Sequence, residues 1–132
     1  MESYNELEIA PASVVLESAR QYAEAFKSTL QYQNFVNAYN HFLEDETAQQ
    51  TLYQLRQKQE QLRNQHLSSP VSETDQAEIK QLEQVFYQQA SVKDYLDAQN
   101  DLLALAQDQG DALSESLGLD FAAVCRRGGC CG

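Results

Sequence analysis

The three cysteines of this chain, Cys125, Cys130 and Cys131, all fall within its last eight residues, in the order Cys-x4-Cys-Cys with Gly128-Gly129 between them. Thiolates are metal and cluster ligands, and a chain that holds such a centre must wrap it instead of burying its sulfurs in a core. Gly128-Gly129 lets the backbone bend back so that Cys130 or Cys131 approaches Cys125. Asp120 is placed to N-cap a single turn that presents Cys125. Arg126 and Arg127 would lower the thiol pKa values and offset the charge of a thiolate-bound centre. Three sulfurs are one short of four-coordinate closure, so a fourth ligand must come from elsewhere. Zinc would have to recruit His41 or His66, both on predicted helices far along the chain. A [4Fe–4S] cluster would instead take its missing thiolate from a partner subunit. The competing reading is an end whose thiols are incidental. Disulfide stapling suits a cytosolic helical chain poorly, and Cys-Cys-Gly at the end does not fit a prenylation box.

Other chemistry is scarce. The sequence has no Gly-rich phosphate loop, no His-Glu-x-x-His and no nucleophile elbow, so a non-catalytic role is expected and a metal-dependent enzyme is the remote alternative. Asp94, Asp97 and Asp101 recur at helical spacing as a solvated face. Tyr39 with Phe42, and Phe86 with Tyr95, read as core or interface aromatics.

The chain has 9 Lys and Arg against 20 Asp and Glu, a net charge of −11 and a sequence pI near 4.4. Such a surface repels phosphate backbones and excludes nucleic-acid binding through a broad basic face. No apolar run approaches the roughly 20 residues that span a bilayer, and Met1 to Ala10 carry acids where a signal peptide carries bases. The expected location is the cytoplasm, away from membranes. The charge is also uneven. Five of the nine basic residues lie between Arg56 and Lys93, whereas 94–120 holds acids and no Lys or Arg.

At 132 residues, 42% of them hydrophobic, the chain makes one domain. Abundant Gln and Glu with few β-branched residues favour helix over sheet. The expected fold is all-α, with about five helices in antiparallel hairpins and a long C-terminal helix, in an oligomeric bundle. An irregular arm (1–12) precedes the helical domain (13–119), and a Cys/Gly-rich tail (120–132) follows it. Val15, Ala19, Tyr22, Phe26 and Leu30 share one helix face, and Ser28-Thr29 can cap a second helix carrying Phe35, Val36, Tyr39 and Phe42. Thr47 with Gln50 suggests a capping box ahead of Ala48, Leu52, Leu55, Gln59, Leu62 and His66. Pro70 ends that helix, and Ser72 with Asp75 starts the next, carrying Ile79, Leu82, Phe86 and Gln89. Ser91 with Asp94 suggests another cap.

The last helix is the longest. Val92, Leu96, Gln99, Leu103, Ala106, Gly110, Leu113 and Leu117 keep a heptad rhythm, and Gly118 sits where a left-handed C-terminal residue belongs. Helices with such narrow stripes leave apolar surface open in a chain of this size, so this seam is the expected interface of a homo- or hetero-oligomer. A compact monomeric bundle with the seam folded inward is the alternative.

Three stretches resemble the YlbF/YmcA family of bacterial helical regulators. They are Ala38-Tyr39-Asn40-His41-Phe42-Leu43-Glu44-Asp45-Glu46-Thr47-Ala48, then Ser91-Val92-Lys93-Asp94-Tyr95-Leu96-Asp97-Ala98-Gln99, and Leu117-Gly118-Leu119-Asp120-Phe121 with the Cys/Gly-rich tail. The likeness runs from about residue 12 onward, and the tail is most similar to the YlbF branch. The resemblance implies an all-helical, non-catalytic protein that joins related small proteins in a complex modulating ribonuclease Y, and with it mRNA processing. It also implies links to competence, sporulation and biofilm formation, and [4Fe–4S] clusters held by cysteines of the subunits. The matching candidates here are Cys125, Cys130 and Cys131, while the Arg126-Arg127 pair has no counterpart in that pattern.

Overall fold

A computed structural model describes residues 11–65, 69–120 and 123. Five helices follow in order: α1 (Ala12–Lys27), α2 (Leu30–Glu44), α3 (Glu46–Gln65), α4 (Glu73–Gln88) and α5 (Ala90–Leu117). The fold is all-α, as the composition and periodicity require.

Each boundary has a local cause. Thr29 separates α1 from α2: its hydroxyl donates to the Phe26 carbonyl at 2.6 Å and accepts from the Tyr32 amide at 3.3 Å, so the cap expected at Ser28-Thr29 is made. Between α3 and α4, the Ser72 hydroxyl accepts from the Asp75 amide at 3.2 Å and donates to the Asp75 carboxylate at 2.7 Å. At the end of α5, Gly118 has φ +64°, and the Leu119 and Gly118 amides donate to the carbonyls of Ser114 and Glu115. That is the Schellman pattern, which glycine enters without the Cβ penalty.

Two expected caps are corrected. The start of α3 is capped by Asp45, whose Oδ1 accepts the Ala48 amide at 3.1 Å. Thr47 lies inside the first turn, where its carbonyl accepts the Thr51 hydroxyl at 2.8 Å. A carboxylate one residue before the helix outcompetes a threonine one residue inside it, because only the former has the extended backbone from which a side chain reaches the free amides; Asp45 has φ −77° and ψ 96°. At the other break, α5 begins at Ala90 after Gln89, which gives no side-chain cap. Ser91 points elsewhere, as described below.

The helices pair as two antiparallel sets, α2 with α5 and α3 with α4. The α2/α3 and α4/α5 breaks meet at one level, an elbow, and the core sits there: Phe42, Ala48, Phe86 and Val92, flanked by Leu52, Tyr95 and Leu96. Phe42 stacks on Tyr95 with ring centroids 5.3 Å apart and meets Phe86 edge-on at 6.1 Å. Beyond the elbow, Leu55 and Leu62 are buried on α3 and Ala98 on α5. The α1 helix touches α2 but has no buried residue.

Candidate functional site

The elbow is held by polar side chains as well as by its aromatic core. Ser91 Oγ donates to Asp45 Oδ2 at 2.6 Å, Gln89 Nε2 donates to Thr51 Oγ1 at 3.1 Å, and Gln49 Nε2 donates to the Phe42 carbonyl at 2.9 Å. The buried Thr51 hydroxyl is thereby satisfied as donor and acceptor. The Ser91 hydroxyl and then the Ala48 amide hold the Asp45 carboxyl below its usual range. A shallow cleft lined by His41, Glu44, Asp45 and Ser91 opens beside this lock.

Farther along the α3/α4 hairpin, Lys58 Nζ bridges Asp75 Oδ1 at 3.0 Å and Glu78 Oε2 at 2.6 Å. These two carboxylates, Glu78 first, raise the lysine pKa. Past that clip lies a groove of about 750 Å³ whose lining includes Leu62, Val71 and Ile79, with Arg63, Lys80 and Glu83 also bordering it.

The heptad seam divides in two along α5. Val92 is 1% exposed and Leu96 packs on the elbow core, and Gln99 is half-buried. Leu103 and Leu117 are each 59% exposed, Ala106 and Leu113 are also exposed, and a Cβ added at the half-exposed Gly110 would meet no atom within 4 Å. The cause is helix length. α5 has 28 residues, about 42 Å at 1.5 Å per residue, against 15 in α2. Antiparallel pairing brings the start of α2, at Leu30 and Asn34, opposite Asp101, Leu105 and Asp108. Beyond that point, among the described residues, the end of α1 accompanies α5, through Tyr22 and Phe26 near Leu105 and Gln109. α1 adds its own open apolar residues, Val14, Val15 and Leu16.

Cys125, Cys130, Cys131 and His66 lie outside the described residues. Asp120 Oδ1 accepts the Ala123 amide at 3.2 Å, so the cap expected ahead of Cys125 is formed. His41 is exposed at the elbow, and among the described residues no group of three or more His, Cys, Asp or Glu side chains could hold a metal ion. Asp94, Asp97 and Asp101 are exposed as expected of a solvated face, and Phe42 and Phe86 are in the core. Sequence reasoning missed the Asp45–Ser91 lock and the α3/α4 groove. The only signal for the lock was a capping residue at each break, with nothing to show that the two breaks coincide.

Among the described residues no helix is long and apolar enough to cross a membrane. The described fold is all-helical, with a small core at the elbow and exposed apolar residues along the second half of α5. Residues 15–118 match the family described as control of competence regulator ComK, YlbF/YmcA, and the chain belongs to that family. The family's description is of a regulatory role. No curated protein and no solved structure matches the chain significantly.

Proposed function

We propose that this chain is a non-catalytic regulatory adaptor that assembles through its helices with related helical subunits in the cytoplasm. The observation that carries this reading is the α5 stripe at Leu103, Leu113 and Leu117, exposed and, among the described residues, not covered by another helix. A regulatory family supplies the context. The complex modulates ribonuclease Y and so mRNA processing, in the control of competence, sporulation and biofilm formation. A chain of net charge −11 acts on RNA through its protein partners and makes no direct contact with it.

In this reading Cys125, Cys130 and Cys131 donate thiolates to a [4Fe–4S] cluster that a partner subunit completes. Three thiols beside two arginines are the donor chemistry such a cluster uses, and the Asp120 cap starts a turn ahead of them. Anaerobic co-expression with the related subunits, followed by iron and sulfide analysis, tests it. Stoichiometric iron that falls on Cys125→Ser with helix content unchanged is the expected result. An iron-free complex contradicts the cluster. Failure to recover any related subunit contradicts the adaptor.

A further inference from the structure

Among the described residues α1 is almost unsupported. Its residues from Ala12 to Ala25 are all exposed, and Phe26 is half-buried. A lone helix of 16 residues is marginal in water, and this one is amphipathic: Val15, Ala19, Tyr22 and Phe26 share one face, with Glu17, Arg20 and Glu24 on the other. Its last turns lie beside α5, where Tyr22, Ala25, Phe26 and Thr29 face Leu105 and Gln109 across a gap of about 230 Å³. The break that carries α1 is Ser28-Thr29, whose hydroxyls bond only to backbone groups within four residues. Nothing in those bonds ties α1 to α5.

The facing side of α5 has the matching pattern. Leu105, Gln109, Ala112 and Ser116 repeat the four-three-four spacing of Val15, Ala19, Tyr22 and Phe26, so two antiparallel helices keep step over about 16 Å at 1.5 Å per residue. With Phe26 and Tyr22 at Leu105 and Gln109, this register sets Ala19 against Ala112 and Val15 against Ser116. These α5 residues are small and exposed, which permits a close approach. Leu113, 47% exposed, flanks them.

We infer that α1 is a hinged strap that closes on the second half of its own α5. The two-residue tether to α2, which already pairs with α5, holds the two faces at an effective concentration that a second copy does not match. Closure fills the gap with Tyr22 and Phe26 and covers Leu113 from one side. Leu103, Gly110 and Leu117 lie about a quarter turn or more round the helix from Leu105 and Gln109, so they stay open. The seam is then carried on a fixed pair of helices. With the strap open, the part of α5 beyond α2 stands as a single helix and frays more readily.

Photocrosslinking of the full chain tests it. With Val15 replaced by the photoreactive p-benzoylphenylalanine and the dilute protein irradiated, the link should form within one chain and map to residues 112–117 after cleavage at acidic residues. A link found only at the mass of two chains, a link to α2, α3 or α4 in its place, or no link to α5 overturns the inference. Hydrogen exchange gives the energetic counterpart. Val15→Asp combined with Tyr22→Ser should speed amide exchange across 110–117 by at least about tenfold, whereas Glu17→Gln, on the outer face of α1, should leave it unchanged. Exchange across 110–117 that is the same in the double variant as in wild type also overturns the strap. Both measurements need no partner, so the adaptor reading is judged separately, by recovery of related subunits.

Discussion

Ser91 Oγ donates a 2.6 Å hydrogen bond to Asp45 Oδ2, tying the break between α2 and α3 to the break between α4 and α5. The same carboxylate caps α3 through the Ala48 amide. One side chain thus ends one helix, starts the next and fixes where the opposite pair bends, which sets how far α5 outruns α2.

Asp45→Ala should therefore lower the melting temperature more than Ser91→Ala, because it removes the cap as well as the lock. In a double-mutant cycle the two should be non-additive, since each removes the same bond. Thermal unfolding followed by circular dichroism checks this; additive effects would show that the two breaks are independent.

The pH dependence follows from the direction of the Asp45 shift. Its folded-state pKa lies below the ordinary value of 3.8, so its contribution is complete above that value and is lost as pH falls through the lower folded value. Asn at this position can still cap, so Asp45→Asn isolates the charge. Wild type should be the more stable protein near neutrality, and the difference should shrink as pH falls below 3.8 and through the lower folded value. Lys58 runs the other way: with its pKa raised above 10.5, its contribution is complete below that value and is lost as pH rises past it.

Gly110 lies inside α5 with open space around it. Replacing it with Ala should stabilise the chain by up to about 1 kcal/mol through helix propensity alone. Gly118→Ala should cost about 1 kcal/mol, because φ +64° is strained for any residue with a Cβ. Chemical denaturation with a constant m value measures both.

Phe42→Ala should cost about 3 to 5 kcal/mol, since Phe42 is buried and touches rings from both sides of the elbow. Leu103→Ala, on the open part of the seam, should change stability by less than about 1 kcal/mol. Equal losses would mean that the open stripe is part of the monomer core.

Much of this architecture is legible in the sequence because it is set locally. Helix periodicity, the Thr29 and Ser72 caps and the Gly118 stop each depend on a few adjacent residues, and each is present. The cap at Asp45 is itself local, but Thr47 two residues on has similar capping chemistry and the sequence does not show which of them keeps the extended backbone; the role of Ser91 depends on a residue 46 positions away. The heptad rhythm of α5 runs through Val92 and Leu117 alike and does not reveal where the covering helix ends. That follows from pairing a helix of 28 residues with one of 15. The groove likewise needs α3 and α4 side by side before Leu62, Val71 and Ile79 meet.

The central claim is that the open half of α5 is a protein interface. Replacing Leu103, Leu113 and Leu117 together with Ser, in the full chain co-expressed with its related subunits, tests it most directly, with the recovered complex weighed by light scattering. The account predicts unchanged helix content and loss of the complex. A complex of wild-type mass and yield would contradict it.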